Sequence, residues 1–440
     1  MNLVTPNRIR NLQRALYAKA KGSFDYRFYT LYDKVYREDI LLHAYRCSRA
    51  NGGVPGADGQ TFEEIESYGV ERWLDELAQT LRNKTYRAGP IERRYIPKPN
   101  GGQRPLGIAT IRDRVVQTAA MLVLEPIFEA DLLPEQHAYR PKRSALDAVQ
   151  QVHQLLCTGH TEVIDADLSG YFDAIPHAEL MTSLARRVSD STLLALIKQW
   201  LIAPVEESGH RGRVQRTTPN KDQRRGIPQG SPISPLLSNV YMRRFILGWK
   251  TLGYERRFRA HIVNYADDYV ICCKGSAQPV MEAMRAMMNQ LKLTVNEDKT
   301  RQCRIPRDRV EFLGYTIGRY YSPQTGRAYI GSRPSKKSVQ RLCRAISDCT
   351  DRRWLWMDAD IQVKRINRKL NGWANYFRLG STSQAYKTVD RHTRRRLRRW
   401  LCKKHKQGGK GVARYSEQEL DRMGLIRLIG RPRSFPWANA

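Results

Sequence analysis

The chain has 440 residues, 41% of them hydrophobic, enough for a sizeable core and about two to four structural units. Lys and Arg number 76 against 43 Asp and Glu, a net charge of +33, which calls for a polyanionic partner, nucleic acid above all. No apolar run approaches the roughly 18 residues of a membrane span, Met1 to Arg10 has no signal-peptide core, and none of the eight cysteines forms a CxxC pair, so we expect a soluble cytoplasmic protein with reduced thiols and no zinc ribbon.

Residues 1–50 mix aromatic and basic side chains and read as helical, and the turn-rich Asn51-Gly-Gly-Val-Pro-Gly-Ala-Asp-Gly59 breaks the pattern. Helical spacing returns over 62–82. Ile91 to Ile96 reads as a strand, followed by the tight loop Pro97-Lys-Pro-Asn-Gly-Gly102, in which Asn100-Gly101 is a hairpin signal. An amphipathic helix is expected over 111–130 and a short strand from Glu162 to Leu168. After a helical stretch at Leu193 to Ile202 the chain is polar and basic from Glu206 to Arg225. A Gly/Pro loop, Gly226-Ile-Pro-Gln-Gly-Ser-Pro-Ile-Ser-Pro235, then feeds a helix from Leu236 to Trp249. Ala260 to Cys273 is a strand pair with two aspartates near its turn. Residues 279–292 are helical, and Val310 to Ile317 is one further strand. Beyond Pro334 the spacing of Val363, Ile366, Leu370, Trp373 and Phe377 gives one helix face. Residues 391–406 form a basic run with Leu397, Trp400 and Leu401 on its apolar side. The last quarter is the most basic: from Gly331 onward there are 28 Lys and Arg against 8 Asp and Glu.

Three carboxylates meet if the two acidic strands pair: Asp167 at the end of one, Asp267 and Asp268 at the turn of the other. Clustered carboxylates repel unless cations neutralise them. Mg²⁺ suits such a site, because it takes oxygen ligands and keeps positions for substrate phosphates. Two such ions can activate a 3′-hydroxyl and stabilise a leaving pyrophosphate. Lys98 and Arg104 flank the Pro-Asn-Gly-Gly loop and offer a point charge and a fork to a triphosphate. Gly226 to Gly230 lets backbone approach a substrate and is not a P-loop.

In order, Tyr95-Ile-Pro-Lys-Pro-Asn-Gly-Gly-Gln-Arg-Pro-Leu-Gly-Ile108, Asp165-Ala-Asp-Leu-Ser-Gly-Tyr-Phe-Asp173, the Gly226 loop continuing through Leu-Leu-Ser-Asn239, and Tyr265-Ala-Asp-Asp268 resemble bacterial group II intron-encoded reverse transcriptases, or maturases. His137-Ala-Tyr-Arg-Pro-Lys-Arg-Ser144, Asn296-Glu-Asp-Lys-Thr300, Phe312-Leu-Gly-Tyr315 and Asn371-Gly-Trp-Ala-Asn-Tyr-Phe377 are similar to further motifs of that family. The resemblance implies an α+β right hand. It divides into an N-terminal extension (1–60), fingers and palm with an antiparallel sheet (61–330), a helical thumb or maturase domain (331–390) and a basic DNA-binding region (391–440) that includes Arg431-Pro-Arg433 and Trp437.

The same resemblance assigns roles. Asp167, Asp267 and Asp268 are implied as the catalytic carboxylates holding two Mg²⁺, with Leu168 bordering metal and nucleotide. Lys98 and Arg104 would hold the dNTP triphosphate, Gln229 the incoming nucleotide, and Phe172 would sit under the sugar and disfavour a 2′-hydroxyl. Lys299 is implied in pyrophosphate departure and Phe312-Leu313-Gly314 as the primer grip. Asp165 and Asp173 are expected to hold local structure. Arg140, Arg394, Arg395, Arg398 and Arg399 are expected on nucleic acid. The expected partners are the intron RNA, an RNA template with its DNA primer, target DNA and dNTPs, in a bacterial cytoplasm beside the nucleoid. The lack of paired cysteines suggests a type without an HNH nuclease. The alternatives are a maturase acting only as a splicing cofactor, and a reverse transcriptase repurposed for DNA repair or phage defence. A viral RNA-copying polymerase fits less well, because Ala266 stands where that class has Gly.

Overall fold

The computed structural model describes residues 3–97, 101–208, 214–322, 324–409 and 411–431. Its strands run in chain order as β1 (Ile91–Pro97), β2 (Gln103–Ile108), β3 (Glu162–Asp167), β4 (Val205–Ser208), β5 (Val214–Thr217), β6 (Ala260–Tyr265), β7 (Asp268–Cys273), β8 (Arg301–Arg304), β9 (Arg309–Phe312), β10 (Tyr315–Tyr321) and β11 (Ala328–Pro334). They form three sheets, ordered β2-β1-β4-β5, β6-β7-β3-β8 and β11-β10-β9.

The second sheet is antiparallel throughout and carries apolar residues on both faces. Side chains alternate along a strand, so Ile164 and Ala166 of β3 join Ile262, Tyr269 and Ile271 in the main core, while Val163 joins Val263, Val270 and Cys272 in a second one. Two-sided burial is what the continuous apolar run Tyr269 to Cys273 of β7 requires. Asp165 and Asp167 share the second face with Val163 and break its apolar character at the end of the strand.

The Ile111–Glu129 helix is not amphipathic as its sequence suggested. It is buried nearly all round, because the Asn7–Gly22 and Glu38–Asn51 helices cover it. The first 60 residues therefore complete the main core rather than forming a separate extension. The helical stretch over 62–82 is broken at Gly69 (φ 105°), a conformation open to glycine alone at little cost, into Phe62–Tyr68 and Val70–Arg82. Glu206 to Arg225, read from the sequence only as polar and basic, supplies most of β4, all of β5 and the short Pro219–Gln223 helix among the described residues.

The expected single strand at Val310 to Ile317 is two strands. β9 and β10 are joined by Leu313-Gly314 with φ 48° and 80°, and Phe312 pairs with Tyr315 across the turn. Positive φ at both central residues is the I′ pattern, whose twist matches that of the flanking strands. The expected boundary at 330/331 falls inside β11, and that at 390/391 falls inside the Ser383–Lys404 helix. One apolar cluster unites Leu342, Ile366 and Leu370 with Trp400, Leu420 and Leu428. The basic segment up to residue 431 thus shares the thumb's core.

Candidate active site

β3 and β7 place Asp167 directly opposite Asp268. Asp267 follows Ala266 in the two-residue turn that closes β6 onto β7, where Tyr265 pairs with Asp268. Ala266 holds φ 59°, an unusual value for a residue with a Cβ, and it is buried. Strain of this kind, on the order of 1–3 kcal/mol, persists only where surroundings over-determine the turn.

The surroundings do so here. The buried Asn264 Nδ2 donates to the Ala266 carbonyl at 2.8 Å. Its own backbone is clamped on both sides, Asn264 N to Glu135 O at 2.9 Å and His137 N to Asn264 O at 3.0 Å. Gln136 Nε2 then reaches Asn239 O at 2.9 Å, and Asn239 Nδ2 reaches Ala138 O at 2.8 Å. These three amides tie the His137 motif and the Ser234–Thr251 helix to the acidic turn. The sequence reading missed them, although buried Asn and Gln inside motif segments were a usable signal.

The acids are not equivalent. Burial, then Asp267, Asp167 and Asp165, push the Asp268 carboxyl up to about 6. Burial pushes Asp165 to about 6 as well, with Arg301 opposing it. Lys299 Nζ donates to Asp167 Oδ2 at 2.8 Å, and its own pKa is raised by that bond. Among the described residues no three His, Cys, Asp or Glu side chains close into a ready metal cage. Asp167 is turned to Lys299, which neutralises part of the acidic charge. The donors are all carboxylate oxygens, which fits Mg²⁺ rather than a softer ion. The Leu168 side chain is 4% exposed in the main core, so only its main chain can border this site.

Contacts join the residues expected around the nucleotide to one another. Gly170 turns left-handed (φ 55°) into the Tyr171–Ala174 helix, which carries the half-buried Phe172. The Gly226 loop lies along it: Ile227 N donates to Phe172 O and Gly226 N to Ile175 O, both at 2.8 Å. Gln229 Nε2 donates to Asp173 Oδ2 at 3.1 Å, so Asp173, expected only to hold local structure, orients Gln229. Gly107 N donates to Gln229 O, and a Cβ on Gly230 would lie 2.7 Å from Gly107 O. That approach brings β2 and its exposed Arg104 to the loop. Lys98 lies outside the described residues. Tyr139, a further residue the sequence reading did not single out, has φ 55° and is half exposed. Burial and the nearby Asp267 raise its phenol, and Arg104 opposes them.

At the grip turn, Phe312 is buried and Tyr376 Oη donates to Leu313 O at 2.8 Å. Tyr315 Oη donates back to Tyr376 O at 2.6 Å. Burial, with Tyr265 and Asp268 nearby, pushes the Tyr376 phenol up to about 12. The expected thumb motif is therefore bonded to the Leu313-Gly314 turn and feels the charge of the acidic turn.

Among the arginines expected on nucleic acid, three face inward. The Arg140 side chain is 6% exposed, forks onto Glu129 and donates to Leu133 O and Gln136 O. Arg394 pairs with Glu417 and Asp421, and Arg398 with Tyr415 O and Glu417. These three hold the fold: Arg140 lies in the connection between the Ile111–Glu129 and Ala145–Cys157 helices, and Arg394 and Arg398, four residues apart, share the inward side of the Ser383–Lys404 helix. Arg395 and Arg399 are exposed.

The fold and site define a right-hand nucleic-acid polymerase. The family profile "Reverse transcriptase (RNA-dependent DNA polymerase)" matches residues 96–317, and "Group II intron, maturase-specific domain" matches residues 339–416. Protein YkfC of Escherichia coli (strain K12) is 32% identical, over 75% of this chain and 93% of that one. Group II intron-encoded protein LtrA of Lactococcus lactis subsp. cremoris is 27% identical, over 68% of this chain and 58% of LtrA. The putative COX1/OXI3 intron 1 protein of Saccharomyces cerevisiae is 27% identical, over 63% of this chain and 38% of that one. The chain belongs to the reverse transcriptase family and carries the maturase-specific domain of group II intron proteins. Among the described residues no helix is long and apolar enough to cross a membrane.

Proposed function

We propose that this chain copies group II intron RNA into DNA and binds that RNA to assist its splicing, with Asp167, Asp267 and Asp268 as the catalytic carboxylates. The observation that carries the reading is the pairing of Asp167 with Asp268 beside a strained, clamped turn that presents Asp267. Two Mg²⁺ bound by these acids would supply the charge that activates a primer 3′-hydroxyl and receives the leaving pyrophosphate. The chain's residues do the rest. Arg104, with Lys98, neutralises the triphosphate. Gln229, held by Asp173, orients the nucleotide, and Phe172 closes the space a 2′-hydroxyl would need. Lys299, already on Asp167, is placed to pass a proton to pyrophosphate. Phe312, Leu313 and Gly314 hold the primer end. The RNA template, its DNA primer, target DNA and dNTPs are the partners this reading requires, and the cytoplasm beside the nucleoid is where it places them.

The test is primer extension on poly(rA)/oligo(dT). Asp267→Asn should abolish extension, a loss of at least about 10³-fold, while affinity for structured RNA stays within about twofold. Extension by that variant at the wild-type rate would refute the assignment.

A further inference from the structure

The sheet β11-β10-β9 has a second face, turned away from the apolar core. Tyr315 and Ile317 of β10 point into the core shared with Phe312 and Phe377. Thr316 and Tyr320 point the other way and floor a groove of about 610 Å³. The first turns of the Lys336–Cys349 and Ser383–Lys404 helices wall it.

Tyr320 is only 6% exposed because arginines cover it. The Arg333 guanidinium lies 3.9 Å from the ring centroid and that of Arg309 4.8 Å. Glycines make room for this. Gly318 pairs with Arg309 on one side and Gly331 on the other. A Cβ on Gly318 would lie 2.7 Å from Arg309 Cγ, and one on Gly331 would lie 2.7 Å from Tyr329 Cε2 and 3.0 Å from Tyr320 Cδ2. Both glycines have ordinary φ, so they serve space and not backbone freedom: they let guanidiniums and rings lie flat on the sheet.

The charges are arranged for an outside anion. Glu311, the acid of the groove, is taken by Lys337 at 3.1 Å. Neither Arg309 nor Arg333 has a carboxylate at ion-pair distance among the described residues, and Arg333 Nε is buried without a hydrogen-bond partner. A buried guanidinium N–H left unpaired is costly, and a flat guanidinium is suited both to phosphate and to stacking on a base. Lys336 adds a cation at the rim, and Gln340, Gln384 and Thr388 line the wall with both donors and acceptors, as a ribose 2′-hydroxyl needs.

We propose that this groove binds single-stranded RNA at a site separate from the polymerase cleft. The proposal rests on the reading that the chain binds RNA. It commits to RNA by the charge of the groove and by those amides and hydroxyls. The test uses the full chain with its cleft filled by an rA/dT primer–template, and measures binding of a short fluorescent oligo(rC) by anisotropy. Arg309→Ala with Arg333→Ala should weaken oligo(rC) binding about tenfold or more. Gln340→Glu with Gln384→Glu changes exposed positions, preserves the packing and should weaken it in the same direction. Extension of the hybrid should stay unchanged in both. Unchanged oligo(rC) affinity in both pairs, or equally tight binding of oligo(dC), overturns the proposal. Failure of the wild type to extend the hybrid would count against the polymerase reading alone.

Discussion

Asp268 and Asn264 show how single residues set up the acidic turn. Asn264 holds Ala266 O at 2.8 Å from a buried position, and deleting that amide leaves a strained turn without its clamp. Asn264→Ala should cost about 1–3 kcal/mol in chemical denaturation. It should also lower kcat at least about tenfold, while the KM for dNTP changes little, because the lost contact positions the acids and not the nucleotide. The Asp268 carboxyl sits at about 6 because of burial and its acidic neighbours. Its folded value lies above the ordinary one, so it takes a proton as pH falls through about 6, and in its proposed role as a metal ligand that proton competes with Mg²⁺. Mg²⁺ should therefore raise the Tm clearly at pH 7.5 and much less at pH 5.5. Asp268→Asn should remove the difference between the two pH values, and a Mg²⁺ shift equal at both would rule out Asp268 protonation as the cause.

The Ser383–Lys404 helix carries two kinds of arginine. The expectation that its basic run forms a nucleic-acid surface holds no place for Arg394, which is 7% exposed in its side chain and bonded to Glu417 and Asp421. Glu417 and Asp421 are themselves 55% and 35% exposed, so water screens their loss of a partner, and Arg394→Ala should destabilise the thumb by about 1–3 kcal/mol in a denaturant titration, through the hydrogen bonds and packing of the buried guanidinium. Arg395→Ala and Arg399→Ala should each change stability by less than about 0.5 kcal/mol. The same helix accounts for the misplaced boundary at residue 390. A composition shift from mixed to basic is visible along the sequence, but the apolar stripe of Leu397, Trp400 and Leu401 continues straight through it.

Across the whole molecule a charge of +33 leaves much of the surface attractive to a polyanion. Affinity for RNA should fall steeply as salt rises, and Arg395→Ala with Arg399→Ala should reduce the slope of log K against log salt by about 1–2. A slope unchanged by that pair would place their side of the helix in solvent. What the sequence alone determined was local in character. Motif order identified a reverse transcriptase, short apolar stretches placed β3, β6 and β7, and the acids were named because three carboxylates brought together by paired strands repel unless cations neutralise them. What needed the tertiary structure was everything held by contacts distant along the chain. Asn264 clamping its turn from Glu135 and His137, Asp173 turning Gln229, Tyr376 touching the grip, and Arg140 serving the fold all depend on which segments pack together. Sequence periodicity tells which face of an element is buried, but not what lies opposite it, and the chemistry of a polar side chain is decided by that partner.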